Sequence, residues 1–197
     1  MTPQGFAAKT ELRDAFRQRR RTLDPAGCED ASTHLIQHLR ASDVWQNAAT
    51  VAGFLPMRGE PDLTALFRAA SASGKRVALP RVTEAGLQFH AADFDRLVPG
   101  AFGTLEPHPD APVTAAAAIE LFLVPGVAFD RHGGRLGMGK WYYDRALSGI
   151  SAPLVAIAWD WQIVAAVPRE PHDVAVTMLC TEIAVHGLAV AAGSPVP

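Results

Sequence analysis

The run LFLVPGVAF, residues 121–129, constrains the fold most. It carries no charge and no polar face, so as a strand it must be covered on both sides, which is the situation of a central strand in a parallel sheet. Around it, shorter apolar runs alternate with stretches of helical period. ATVAGFLP (49–56), KRVALP (75–80), GLQFHAAD (86–93), PLVAIAWD (153–160) and TEIAVHG (181–187) read as strands. Residues 7–23 put Leu12, Phe16 and Leu23 on one stripe of a helix. Asp24-Pro25 reads as a cap and first turn of a second helix reaching Ala41. Pro61-Asp62 opens a third that Gly74 ends, and Tyr142–Leu147 begins another. The expectation is an α/β chain: one three-layer sandwich domain over 1–197, with a largely parallel central sheet between helices. Residues 99–118 are expected as a surface excursion, and 193–197 as a loose tail.

Composition narrows the class. The 197 residues are 49% hydrophobic and 19% charged, and the net charge is −2. Such a balance argues for a folded chain, and against a dedicated nucleic-acid or membrane-surface binder. Cys28 and Cys180 stand far apart, so neither a disulfide framework nor a zinc site is expected. The opening MTPQGFAAKTELRDAF has no apolar run for a signal segment. A cytoplasmic location is the expectation, with no obligate protein partner.

FDRHGGRLGMGKWYYDR, residues 129–145, carries the chemistry. Gly133, Gly134, Gly137 and Gly139 let backbone N–H groups converge on an anion, and the next helix presents its N-terminus there. Arg135 and Lys140 add positive charge, and Asp144 adds a carboxylate of the kind that holds magnesium. These parts suit a metal-bound nucleotide phosphate. They also suit a glycine-rich surface loop, and glycine spacing alone leaves both readings open. No G-x-x-x-x-G-K-[ST] loop is present.

PGVAFDRHGGRLGMGKWYYDR (125–145) and QIVAAVPREPHDVAV (162–176) together resemble the signature of 5-formyltetrahydrofolate cyclo-ligases. KTELR (9–13), FLPMRGE (54–60), KRVALPRV (75–82), FGTLEP (102–107) and TE (181–182) extend the resemblance, in order, over most of the chain. It implies a single α/β domain that uses ATP and magnesium to phosphorylate the formyl oxygen of a 5-formylated reduced folate. Nitrogen-10 then closes the ring to 5,10-methenyltetrahydrofolate. Phosphoryl transfer of this kind needs positioning and charge neutralisation more than covalent help.

The resemblance also assigns residues. Lys9 and Arg13, four apart on one helix face, are implied to reach the nucleotide phosphates, joined by Arg135, Gly137, Gly139, Lys140, Tyr142 and Tyr143. Lys140 and Arg135 are the implied catalytic cations. Asp144 and Asp173 are the implied magnesium carboxylates. Leu55, Met57, Glu60, Phe102, Met138, Trp141 and Tyr142 are implied to line the folate. Glu60 could instead favour the dipole of the helix expected at Pro61. Phe102 could serve the core, and one of the two tyrosines could pack the helix. Arg17 and Arg20 continue the Lys9–Arg13 stripe and are expected as a solvated face. His90, His108, His132 and His172 show no metal-ligand spacing and are expected to be structural.

Trp141 departs from the family pattern, which usually has glycine there. A tryptophan resists positive φ and close approach. Two alternatives follow: a non-catalytic folate or nucleotide binder, and an ATP-dependent enzyme acting on another formylated substrate.

Overall fold

A computed structural model of the chain describes residues 3–57 and 59–188. The expected loose tail lies outside them. Helices α1 (Pro3–Arg21) and α2 (Pro25–Ala41) open the chain. The Gly27 N–H donates to Oδ2 of Asp24 at 3.0 Å, with Pro25 in the first turn, so the expected cap forms. Then come α3 (Asp43–Asn47), β1 (Thr50–Ala52), α4 (Thr64–Ala72), β2 (Arg76–Thr83) and β3 (Gly86–Ala91). A small hairpin, β4 (Val98–Pro99) with β5 (Leu105–Glu106), precedes β6 (Leu121–Val124), β7 (Ala128–Asp130) and β8 (Arg135–Leu136). The rest is α5 (Tyr142–Leu147), β9 (Leu154–Ile157), β10 (Ile163–Val164), β11 (Met178–Cys180) and β12 (Val185–Gly187).

Seven strands form the main sheet in the order β12-β11-β9-β6-β1-β2-β3. The five inner strands are mutually parallel, and β3 and β12 close the edges antiparallel. Side chains alternate across the sheet, as strand geometry demands. Leu121 and Leu123 face a core shared with Leu35 and Leu39 of α2 and Phe67 of α4. Phe122 and Val124 face a second core with Phe89, Phe129 and Leu147 of α5. Helices therefore cover both faces, which is the three-layer α/β sandwich expected from the alternating pattern. Among the described residues, no helix is long and apolar enough to cross a membrane.

The structure corrects four local expectations. The apolar run 121–129 is two strands in two sheets. Pro125 has no N–H for a ladder, and a Cβ on Gly126 would meet the Phe129 ring at 2.5 Å, so the chain breaks there. Beyond the break, β7 joins β8 and β10 in a separate three-stranded sheet. The third helix begins at Thr64, not Pro61, because Asp62 forms a turn. Its N–H donates to Oγ of Ser32, and its Oδ1 accepts the Thr64 N–H at 2.8 Å. Residues 99–118 are more than a surface excursion. The Ala91 N–H donates to the Pro112 carbonyl and the Thr114 N–H to that of Phe89, and Glu106 is buried. Finally, β11 lacks enough length to show a period, and the expected strand at 181–187 shrinks to its antiparallel partner β12.

Helix α1 does not lie on the main sheet. Leu12 and Phe16 pack on a third cluster of Val127, Ala128, Leu136 and Val167, which belongs to the small sheet and its return. This seat decides what the adjoining basic stripe of α1 faces.

Candidate active site

Strand order reverses beside β1: the chain runs from β1 to β2 on one side, and β6 lies on the other. In parallel sheets a crevice opens at such a reversal, outside the carboxyl ends of the strands. A cavity of about 320 Å³ occupies this position, the size of a small-molecule site. Phe54, Leu55, Met57 and Glu60 enter from the end of β1, Pro125 and Gly126 from the end of β6, and Pro80 and Val82 from β2. The glycine loop and α1 close it.

The stripe on α1 is turned inward. Lys9, 7% exposed, lies 2.8 Å from Oδ2 of Asp173 and 3.3 Å from Oε2 of Glu170. Arg13 Nε donates to the Gly137 carbonyl at 2.9 Å, and Arg17 Nη2 reaches the Met138 carbonyl at 3.5 Å. Arg20, 6% exposed, pairs with Glu60 at 2.8 Å. Arg20 thus overturns the expected solvated face outright, and Arg17 does so in part, because the helix rests on the small sheet with this stripe toward the cavity. Burial, then Arg17, push the Arg13 guanidinium below its usual pKa, while Asp173 and Glu170 pull it back up. An anion in the cavity would supply the charge that Arg13 lacks.

Asp130 builds the glycine loop. Its Oδ1 accepts the N–H groups of His132 and Gly134, each at 2.8 Å, and its Oδ2 accepts that of Val167 at 2.8 Å. Arg135 then pairs with Asp144, whose Oδ1 also accepts the Val174 N–H at 3.2 Å. The Arg135 guanidinium stands 5.9 Å from the Tyr143 ring centre. Its Nε is buried with no partner among the described residues, a donor suited to an anionic ligand. Burial raises the Tyr143 phenol pKa, Glu60 adds to the rise, and Arg135 opposes it. Trp141 holds φ +52° at the N-terminal boundary of α5, with its ring 4.7 Å from that of His172.

His172, expected to be structural, also lies 3.2 Å from Glu170. Ligand atoms of Glu170, His172 and Asp173 lie within 4.8 Å of one another. Asp144 and Asp173 both border the cavity, and a carboxylate has about four lone-pair sites, so each keeps capacity for a cation beside its present partners. The donor set fits magnesium, a hard cation that takes oxygen ligands.

Every expected site residue whose side chain is described borders this cavity: Lys9, Arg13, Leu55, Met57, Glu60, Arg135 and the 137–144 loop, with Asp173. The side chain of Phe102 lies outside the described residues. Glu60 does not cap a helix, since the next begins at Thr64. Asp130, Gln162 and Glu170 carry no role in the expectations from sequence, and Arg20 is expected there only as part of a solvated face. Gln162 and Glu170 stand within the quoted motif segments, and Arg20 continues the helical spacing of the stripe, which were the available signals.

Sheet, reversal and basic cleft define an α/β protein with a small-molecule site that suits an anionic, phosphate-bearing ligand. A family model described as the 5-formyltetrahydrofolate cyclo-ligase family matches residues 6–182, and the chain belongs to that family. A 5-formyltetrahydrofolate cyclo-ligase of Mycolicibacterium smegmatis is 34% identical over 183 residues, covering 88% of this chain and 93% of that protein. One from Escherichia coli is 33% identical over 176 residues, covering 84% and 96%. The NMR structure of a 5,10-methenyltetrahydrofolate synthetase from Aquifex aeolicus superposes with a TM-score of 0.83 at 32% identity, covering 96% of each chain.

Proposed function

We propose that this chain is a cytoplasmic, magnesium-ATP-dependent 5-formyltetrahydrofolate cyclo-ligase that acts without an obligate protein partner. The observation that carries the reading is one cavity bordered by Lys9, Arg13 and Arg135, by Asp144 and Asp173, and by Glu60. Two substrates must meet there. Lys9, Arg13, the backbone of Gly137 and Gly139, Tyr142 and Tyr143 hold the nucleotide. Leu55, Met57, Met138 and Trp141 hold the folate, and Glu60 accepts the N–H donors of its amino-pyrimidinone edge.

The formyl oxygen attacks the terminal phosphorus of ATP, and ADP leaves. Lys140 and Arg135 stabilise the charge on the phosphoryl group in transit. Nitrogen-10 then attacks the activated carbon, the carbon–oxygen bond breaks, inorganic phosphate departs, and nitrogen-10 loses its proton. Asp144 and Asp173 would hold the magnesium ion, which would supply neutralisation of phosphate charge there. The buried ion pairs around Lys9 and Arg135 keep these side chains in place before substrate arrives.

The test follows the near-ultraviolet absorbance of the methenyl product from 5-formyltetrahydrofolate, with ATP and magnesium supplied or withheld. Asp144→Asn should keep a cooperative fold and lose about 100-fold in turnover, at or beyond the upper end of what outer partners of metal sites cost. Product formation without ATP would sink the proposal. Turnover by Asp144→Asn equal to the parent at limiting magnesium would remove Asp144 from the site. A chain that binds ATP and folate but yields no product would be the non-catalytic binder.

A further inference from the structure

Arg20 ends the α1 stripe, and the reading above gives it no task. Its side chain and that of Glu60 are each 6% exposed. Nη1 donates to Oε1 of Glu60 at 2.8 Å, and Nη2 donates to the Gly126 carbonyl. Its Nε is buried with no partner among the described residues. Enclosing two charges is costly, and apolar side chains of similar volume often serve stability as well or better. A buried pair with an unsatisfied donor therefore points to use of the carboxylate.

The surroundings hold this pair in one arrangement. Gln162, fully buried, donates Nε2 to the Gly126 and Val127 carbonyls at 3.1 and 2.8 Å, which fixes the peptide that Arg20 grips. Gly59 has φ +75°, and a Cβ there would meet the Arg20 carbonyl at 3.0 Å, so the turn before Glu60 packs directly on α1. Trp159 Nε1 donates to the Gly59 carbonyl at 2.9 Å. The Met57 N–H donates to Oε2 of Glu60 at 3.0 Å. With one donor on each oxygen, the Glu60 carboxylate cannot rotate freely, yet about two of its four acceptor sites remain. Glu60 borders the cavity, whereas Arg20 does not. Arg20 can act on a ligand only through Glu60.

We propose that Arg20 is a positioning residue for substrate recognition. Its guanidinium, anchored on the Gly126 carbonyl at the strand break, locks the Glu60 carboxylate in the orientation that accepts the paired N–H donors of the folate ring. The proposal rests on the assignment of Glu60 to the folate. A fixed carboxylate gains two hydrogen bonds without first losing rotamer freedom, so the pair lowers the folate KM and leaves the phosphoryl step alone.

Steady-state kinetics of Glu60→Gln, Arg20→Lys and the double variant test this. Glu60→Gln should raise the folate KM about 10- to 100-fold, the range for hydrogen bonds to a charged group. Arg20→Lys keeps the charge but cannot hold Glu60 and Gly126 together. It should raise the folate KM about tenfold, with kcat and the ATP KM within about twofold. In the Glu60→Gln background the lysine should add less than about twofold, because no carboxylate remains to be aimed. Should Arg20→Lys fail to fold, Arg20→Met combined with Glu60→Gln removes both charges together. That double variant should match the folate KM of Glu60→Gln. If Glu60→Gln leaves the folate KM unchanged, the assignment of Glu60 fails and the role of Arg20 fails with it. If Glu60→Gln raises it and Arg20→Lys does not, Arg20 alone is overturned. Effects that multiply in the double variant, or an ATP KM that rises in step, would mean general loosening and also overturn it.

Discussion

Trp141 puts a bulky side chain in the left-handed region, where a non-glycine residue costs about 1–2 kcal/mol. Its ring meets that of His172 at 4.7 Å, and such contacts return about 0.5–1.5 kcal/mol. The two effects nearly cancel, so Trp141→Gly should move the thermal midpoint by no more than about 3 °C. The residue is 50% exposed and borders the cavity, so its larger effect should fall on ligand affinity. A folate KM changed about five- to tenfold, with turnover retained, is the expected result. Unchanged affinities for both folate and ATP would make Trp141 a packing residue of the loop. The contact with His172 was invisible in the sequence, because it joins the glycine loop to the 170–173 turn across a gap that no local pattern spans.

At the scale of elements, the glycine loop depends on how closely its backbone approaches Asp130. A Cβ on Gly134 would meet Oδ2 of Asp130 at 2.3 Å. That carboxylate holds three backbone N–H groups and has no free direction in which to yield. Gly134→Ala should therefore cost about 1–3 kcal/mol, as overpacking does, lowering the midpoint by roughly 3–10 °C. A midpoint equal to the parent's would show that the loop can shift without loss. Helix α1 offers the opposite lesson about legibility. Its length, amphipathic stripe and row of basic residues were plain from spacing. Which side of that row met solvent was decided by the small sheet on which Leu12 and Phe16 rest.

At the scale of the whole molecule, one buried thiol sets a limit at alkaline pH. Burial, with Glu182 adding, pushes the Cys180 thiol from 9.0 up to about 12. The Tyr143 phenol is raised in the same direction. Below pH 9 the thiol is protonated in both folded and unfolded chains, and its contribution to stability is complete. Above that, the unfolded chain releases the proton while the folded chain retains it, so stability falls as pH rises from about 9 to about 12. The thermal midpoint should drop across this window, less steeply in Cys180→Ala than in the parent. Equal slopes would remove Cys180 as a cause.

The sequence by itself determined the class of fold, since apolar runs too short for helices and too continuous for exposed strands must be buried in a parallel sheet. It also determined the chemistry at hand, through the glycines, cations and carboxylates of 129–145 and their resemblance to a known family. Only the tertiary structure decided where the 121–129 run breaks, because Pro125 and Gly126 matter there through the Phe129 ring and the small sheet beyond. It alone joined Lys9 to Asp173 and Arg20 to Glu60. Hydrophobic period is a property of neighbours in the chain, and the order of residues reports it. The partner of a buried charge is chosen by whichever distant segment arrives with the opposite sign once the sheet has formed, and no local pattern records that choice.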